Sequence, residues 1–391
     1  MIISAGPCWT RGAEALRILY FSLGDTVHDR RFLQRIADFG YEVWSLQLSD
    51  AGRARRDERT SGATSGAAPR ASWPKGAPIV KGPEDVPSLL PAFRDVLADV
   101  RPAVLHAGPT QSCGYLAALS EFHPFLLMSW GSDLLVDAER SEVWRRATSV
   151  ALHGSDLLLC DSAAVRTKAH TLLGYDDSRI VQFPWGVDLK EFRPGADDRG
   201  LRHEMGWDDS FIILSTRSWE PLYGIETLLE AFRRAYAKEP RMRLILLGGG
   251  SLASKIERFL KSNKLDRFVH RPGVMPHDAI SAYFRAVDLY VSCSLSDGSS
   301  VSLLEAMATG LPVVVSDTPG NREWVVSGKN GWLAPVGDAE AFAGHLITSS
   351  RSGSSARARI SQANRGIAER RADWSRNSEQ LRQAYERLAG A

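Results

Sequence analysis

From residue 16 onward, short apolar runs alternate with longer stretches in which apolar positions recur every three or four residues. The first spacing predicts buried strands and the second amphipathic helices. LRILYFS at residues 16–22 predicts a strand, Gly24 a turn, residues 30–39 a helix and residues 41–48 a second strand. Further strands are expected at residues 104–106, 125–128, 157–160 and 180–183. After PWGVDLKEFRPG, residues 184–195 with Pro and Gly at both ends, the rhythm restarts with strands at residues 211–216, 244–247, 269–271, 289–293 and 312–316. Strands separated by helix-length segments pair in parallel through crossover helices. The expected fold class is α/β, with two Rossmann-like, doubly wound parallel-sheet domains facing a central cleft. The boundary falls near residue 188: residues 1–188 form the first domain, residues 189–365 the second, and residues 366–391 a C-terminal helix able to pack back on the first. Ligands of such sheets sit beyond the carboxyl ends of the strands.

One stretch breaks the rhythm. Residues 51–78 are rich in Arg, Ser, Gly, Ala and Pro and nearly free of large aliphatics, which predicts a flexible surface insertion. It is either a plain solvated excursion or a loop that touches a membrane or an acceptor.

Composition acts mainly by exclusion. The 391 residues are 44% hydrophobic and 24% charged, an ordinary globular balance. A formal net charge of +2 gives no basic field with which to argue for nucleic acid. Cys8, Cys113, Cys160 and Cys293 are scattered, without a C-x-x-C pair or a His at ligand spacing, so neither a zinc site nor a disulfide framework is expected. No apolar run approaches the roughly 18 residues that span a bilayer, and the first 15 residues lack the pattern of a secretory signal. The expectation is a cytoplasmic protein. Peripheral membrane contact would rest on Arg53, Arg55, Arg56 and Arg59 within the insertion.

The densest chemistry begins at Ser292. A strand ends, the small-residue loop Ser296, Asp297, Gly298, Ser299, Ser300 follows, and a helix begins near Val301. Backbone N–H groups at such a helix start, with the macrodipole, make an anion site. Asp297 and Glu305 lie eight apart, one in the loop and one about two turns into the helix, which suits hydrogen bonding to two hydroxyl-bearing parts of one ligand. An N-cap Asp and a helix-surface Glu is the plainer alternative. Arg217 emerges just after a strand, where its fork of donors suits a diphosphate. Gly248, Gly250 and Ala253 match G-x-G-x-x-A after a strand, a weak dinucleotide signal, because the next strand ends without an acidic residue for a ribose. In the first half, Gly24, His106, Trp130 and Asp133 fall at expected strand ends and would face the cleft. Trp130 and Trp185 could stack on sugar faces or simply pack in a core. No D-x-D, G-x-S-x-G or P-loop occurs, so a carboxylate-held metal has no obvious ligands.

The run from Asp297 through Glu305, with EAMATGLPVVVSD and GNREWV after it, resembles the donor-binding signature of retaining glycosyltransferases of family 4, which have the GT-B fold. The resemblance extends to Arg217 and its following helix, to LILLGGGS, to RPGV and to FPWGVDLKEFRP. It implies a nucleotide-sugar glycosyltransferase that retains anomeric configuration and needs no metal. By that resemblance Glu305 would bind the ribose hydroxyls and Asp297 the transferred sugar. Arg217 and the backbone of Gly298, Ser299, Ser300 and Val301 would bind the diphosphate, and Gly24 would let backbone approach it. Gly250 and Val274 would lie near the donor, the latter beside the base. UDP- or GDP-sugars are the expected donors. A polysaccharide, lipid-linked or small-molecule acceptor is expected on the first domain near His106, Trp130, Asp133 and Trp185.

Three departures stand out. Asp297 replaces the family's usual Glu, Tyr223 stands near the place of its usual Lys, and Trp130 stands where a His commonly precedes Gly-x-Asp. They leave open a catalytically silent sugar-nucleotide-binding protein, alongside a sugar-nucleotide epimerase on the same fold.

Overall fold

A computed structural model describes residues 15–52 and 68–390. Its first half carries β1 (Arg17–Ser22), β2 (Glu42–Gln47), β3 (Val104–Ala107), β4 (Phe125–Met128), β5 (Leu157–Cys160) and β6 (Ile180–Gln182). Its second half carries β7 (Phe211–Ser215), β8 (Met242–Leu247), β9 (Val269–Gly273), β10 (Leu289–Ser292), β11 (Val313–Ser316) and β12 (Trp332–Ala334). They form two six-stranded sheets, ordered β2-β1-β3-β4-β5-β6 and β12-β11-β10-β7-β8-β9. β1 pairs in parallel with β2 and β3, and β7 in parallel with β8 and β10, with helices in the connections.

The strands read as unbroken apolar runs because both faces of a parallel sheet are covered. FLLM of β4 and LLLC of β5 are buried at every position. Eleven of the twelve strands were expected, with ends displaced by two residues at most. The twelfth, β12, is only three residues long and follows a turn-rich segment. Its pairing with β11, Val315 opposite Leu333, supplies what its own pattern lacks.

Contacts divide the described chain into two compact units. One holds residues 15–129, 137–159 and 381–390; the other holds residues 130–136 and 160–380. The division therefore departs from the expected boundary near residue 188. Gly131 packs against Gly298, the Asp161 carboxylate accepts from Ser299 N–H, and Glu323 accepts from Ala163 and Ala164 N–H at the start of the helix Ala163–Leu173. These contacts gather the segments after β4 and β5 into the second unit. The C-terminal segment is also divided: the helix Ser354–Arg371 lies in the second unit, whereas residues from Leu381 lie in the first.

The expected insertion, residues 51–78, is described only in part. Residues 53–67, including Arg53, Arg55, Arg56 and Arg59, lie outside the described residues. In the stretch that follows, Ala71, Trp73 and Ala77 are buried between exposed neighbours. Arg70 bridges to Ser45 beside β2, and Trp73 stacks edge-on to Phe21 while its indole N–H donates to Gln47 O at 2.7 Å. One large aromatic with a satisfied polar end anchors a segment that composition alone marks as mobile. Cys113, Cys160 and Cys293 are free and buried; Cys8 lies outside the described residues. Among the described residues no helix is long and apolar enough to cross a membrane.

Candidate functional site

β7 and β10 are neighbours in the second sheet, with Ile213 opposite Leu289 and Leu214 opposite Tyr290. Their carboxyl ends release two loops side by side, one carrying Arg217 and one carrying Asp297. The Arg217 guanidinium reaches across to Asp297 Oδ2 at 2.8 Å, with the two side chains 12% and 17% exposed. Its Nη1 donates to Ser300 Oγ at 2.7 Å and to Ser302 Oγ at 3.2 Å. Ser302 Oγ in turn bonds Tyr290 OH at 2.7 Å. The face of the guanidinium lies over the Tyr223 ring, 4.2 Å from its centroid. Nε of Arg217 is buried and has no hydrogen-bond partner.

The electrostatics follow from this packing. Burial, the largest influence, opposes the Arg217 charge, but Asp297 together with Tyr290, Tyr223 and Glu305 outweighs it and holds the group above its ordinary value. Burial also lifts the Asp297 carboxyl, against the pull of Arg217 and the Ser300 hydroxyl. Glu305, 6% exposed in the helix Val301–Ala308, adds its field to Arg217. The Arg217 cation is thus held by one carboxylate and lies within the field of a second.

Gly298, Ser299 and Ser300 are buried between Asp297 and the helix start. Two neighbours fix this loop that the sequence did not reveal as site residues. Trp324 Nε1 donates to Ser299 Oγ at 3.1 Å, and Ser299 N–H donates to Asp161 Oδ2 at 2.8 Å. Asp161 follows β5 directly, 138 residues before its partner, and an acidic residue at a strand's carboxyl end was the signal available. Burial does most to push its carboxyl up to about 7. A cavity of about 600 Å³ opens beside Asp297, lined by Leu135, Thr167, Lys168, Ser296 and Val336 among others.

The structure thus brings Arg217, Tyr223, Asp297, Gly298, Ser299, Ser300 and Glu305 into one constellation, with Val301 packed at the helix start. Other expected site residues lie elsewhere. Gly250, after β8, is packed against the loop after β7: a Cβ there would fall 2.6 Å from Trp219 O. The neighbouring Ser251 N–H donates to Glu220 at 2.8 Å, so an internal carboxylate already occupies the turn of the G-x-G-x-x-A motif. Val274 is 79% exposed beside Gly249. Gly24 is half-buried in the loop after β1, where its carbonyl accepts from Ser22 Oγ at 3.0 Å.

Two expectations are corrected. His106 is not a cleft residue: β3 runs one residue past it, its side chain is fully buried, and Nδ1 lies 2.6 Å from Tyr385 OH. Burial drives its pKa down to about 3. Trp185 is 2% exposed and packs edge-on to Phe183 and Trp130, so its ring serves a core rather than a sugar. Trp130 itself is half-buried, and Asp133 is 3% exposed in the short helix Ser132–Leu135. Among the described residues no group of three or more His, Cys, Asp or Glu is placed to hold a metal ion.

Comparison with known proteins gives the family. Residues 199–366 match Glycosyl transferases group 1, and residues 17–162 match Glycosyl transferase 4-like. A putative colanic acid biosynthesis glycosyltransferase of Salmonella typhimurium is 30% identical over 186 residues, 46% of this chain and 44% of that protein. D-inositol 3-phosphate glycosyltransferase 2 of Catenulispora acidiphila is 30% identical over 202 residues, 48% of this chain and 46% of that protein. The match therefore spans under half the length of these relatives. Among solved structures, Anabaena HepE in complex with UDP-glucose superposes with a TM-score of 0.78 at 19% identity, covering 96% of this chain and all of that one. With the two family matches following one another along the chain and the two parallel six-stranded sheets in common with GT-B structures, the protein belongs to the family 4 (group 1) glycosyltransferases.

Proposed function

We propose that the protein transfers a sugar from a nucleotide-sugar donor to an acceptor hydroxyl, with retention of anomeric configuration and without a metal ion. The observation that carries this reading is Arg217, held between Asp297, the Ser300 hydroxyl and the Tyr223 ring, with Glu305 buried in the adjoining helix. In this reading Arg217 and the Ser299–Ser300 backbone neutralise the diphosphate as it leaves, stabilisation directed at charge that develops in the transition state. Glu305 binds the ribose hydroxyls and Asp297 the hydroxyls of the transferred sugar. The acceptor hydroxyl attacks from the face the diphosphate leaves, and a phosphate oxygen takes its proton.

UDP- or GDP-sugars are the proposed donors; the complex of HepE is with UDP-glucose. The acceptor is proposed to be a growing polysaccharide, a lipid-linked sugar or a small polyol. The relatives are named for colanic acid biosynthesis and for D-inositol 3-phosphate.

The test is a thermal-shift panel of UDP-, GDP-, ADP- and dTDP-sugars beside NAD and NADP, with and without EDTA. A ligand at 100 times its Kd stabilises by about 2.7 kcal/mol. The expected outcome is a shift with one nucleotide sugar, unchanged by EDTA and lost in Glu305→Ala. Release of nucleoside diphosphate only when an acceptor is present, with a product of unchanged anomeric configuration by proton NMR, completes the case. Donor isomerised without acceptor would make the protein an epimerase, and binding without turnover a silent binder. A shift with NAD or NADP alone would sink the reading.

A further inference from the structure

At the start of the helix Val301–Ala308, the N–H of Ser299 is already taken. It donates to Asp161 Oδ2 at 2.8 Å. The Asp161 side chain is 3% exposed, and its other oxygen, Oδ1, is buried without any hydrogen-bond partner. Glycines make room for it: a Cβ on Gly298 would fall 2.3 Å from Oδ1, and one on Gly131 4.0 Å from it. A buried carboxylate with one oxygen unsatisfied is costly as an anion, and a proton on that oxygen removes the charge.

The surroundings press the same way. Asp297 faces Asp161 from the loop before the helix, and Asp133 from the helix Ser132–Leu135. Arg217 is engaged by Asp297. On Asp161's own segment, burial keeps the Cys160 thiol protonated, and Arg166 is paired with Asp177. Glu323, another carboxylate, accepts from Ala163 and Ala164. Burial does most to raise the Asp161 carboxyl to about 7; the Ser299 N–H and the Ser162 hydroxyl pull it back, and the charges of Asp297 and Asp133 push with burial.

We infer that Asp161 is an internal stand-in for the donor's anionic group: ionised, it holds Ser299 N–H and its charge repels a diphosphate, and with a proton on Oδ1 the repulsion is gone and the weaker, neutral acceptor Oδ2 yields that N–H to the phosphate. The inference rests on the nucleotide-sugar reading of this site. It makes Asp161 a positioning residue that sets the pH range over which the donor binds.

The experiment is calorimetric titration of the full chain with UDP-glucose and with GDP-mannose at pH 6, 7 and 8. Both are diphosphate diesters with no ionisation of their own in this range, so a pH dependence belongs to the protein. Apparent affinity scales with the fraction of protein in the competent state. If only the protonated form binds, wild-type affinity falls roughly tenfold from pH 6 to pH 8. Asp161→Asn keeps an oxygen for Ser299 N–H and carries no charge, so its affinity should stay level and exceed wild type about tenfold at pH 8. Asp161→Ser serves as the second variant should Asp161→Asn melt early, with the same level profile expected. Parallel profiles for wild type and variant overturn the inference and leave the nucleotide-sugar reading standing, as does a variant that binds more weakly at every pH. Failure of wild type and variant alike to bind either donor, with both melting cooperatively, overturns both.

Discussion

The guanidinium carbon of Arg217 lies 4.2 Å from the centroid of the Tyr223 ring. The ring does not add charge. Its negative face attracts the guanidinium, whose N–H groups donate to Ser300, Ser302 and Asp297. In the proposed diphosphate role, a cation backed by an aromatic ring would lose less side-chain freedom when the anion binds. Tyr223→Phe keeps the ring and should leave kcat/KM within about twofold. Tyr223→Ala removes a contact of about 0.5–2 kcal/mol, so kcat/KM should fall about 2- to 30-fold, mainly through the donor KM. Equal effects of the two variants would show that the hydroxyl, not the ring, matters.

Arg217 and Asp297 should separate in their effects. Arg217→Ala removes the one side-chain cation of the constellation and should lower kcat/KM by about 100- to 1000-fold, the range for losing a charge-stabilising donor. Asp297→Glu restores the acid more usual in the family, one methylene longer. In the proposed role it contacts the transferred sugar and not the nucleotide, so affinity for the free nucleoside diphosphate should change little while the preference among donor sugars shifts. Competition assays with paired donors check this, and an unchanged preference would remove Asp297 from sugar recognition.

Much of this site was legible in the sequence because it is local in the sequence. Asp297, Gly298, Ser299, Ser300 and Glu305 sit on one strand–loop–helix unit, and Arg217 ends a neighbouring strand, so strand order alone brings them together. What was not legible is what depends on contacts distant in the chain. Asp161 meets Ser299 across 138 residues, and its place just after β5 marks an acidic strand end without saying which loop it meets. The Tyr223 position was legible as a departure, but its stacking on Arg217 depends on the turn Pro221–Tyr223. His106 and Trp185 were misplaced for one reason: the end of an apolar run does not tell whether the next side chain faces an edge or a core. β3 extends to Ala107, and that single residue puts His106 inside. Trp73 shows the same limit in reverse, since composition over 28 residues hides one ring that packs against Phe21.

The burial of His106 has a pH consequence. Its pKa is about 3 in the fold, because burial disfavours the charged ring, against 6.5 as its ordinary value. The folded chain therefore binds fewer protons than the unfolded chain between those values, and stability rises with pH across the window. Put the other way, the stabilisation is fully present above pH 6.5 and is lost as pH falls toward 3, by up to about 1.4 kcal/mol per pH unit. His106→Asn offers an oxygen near the place of Nδ1 for Tyr385 OH and cannot take up a proton. Melting temperatures measured from pH 7 down to pH 4 should fall less steeply in the variant than in wild type. Superimposable slopes would mean that His106 is not the group that makes the fold acid-sensitive.

The close approach at Gly298 gives a test of the loop that needs no substrate. A Cβ there would lie 2.3 Å from Asp161 Oδ1 and 2.6 Å from Oδ2. Gly298 does not have the positive φ that disfavours a side chain, so the penalty expected for alanine is the steric clash. Gly298→Ala should destabilise by about 1–3 kcal/mol, the range for inserting a methyl group into a packed site, and should displace the Asp161 carboxyl from Ser299 N–H. Asp161→Ala alone leaves that N–H without its partner while relieving a buried carboxyl, two effects of opposite sign. In the double variant the new methyl group occupies the space the carboxyl left, so the two changes should not add. A coupling of about 1 kcal/mol or more in denaturant unfolding is expected for residues in direct contact. Strict additivity would show that the loop relaxes away from Asp161 at no cost, and that the Ser299 N–H bond is not what holds it.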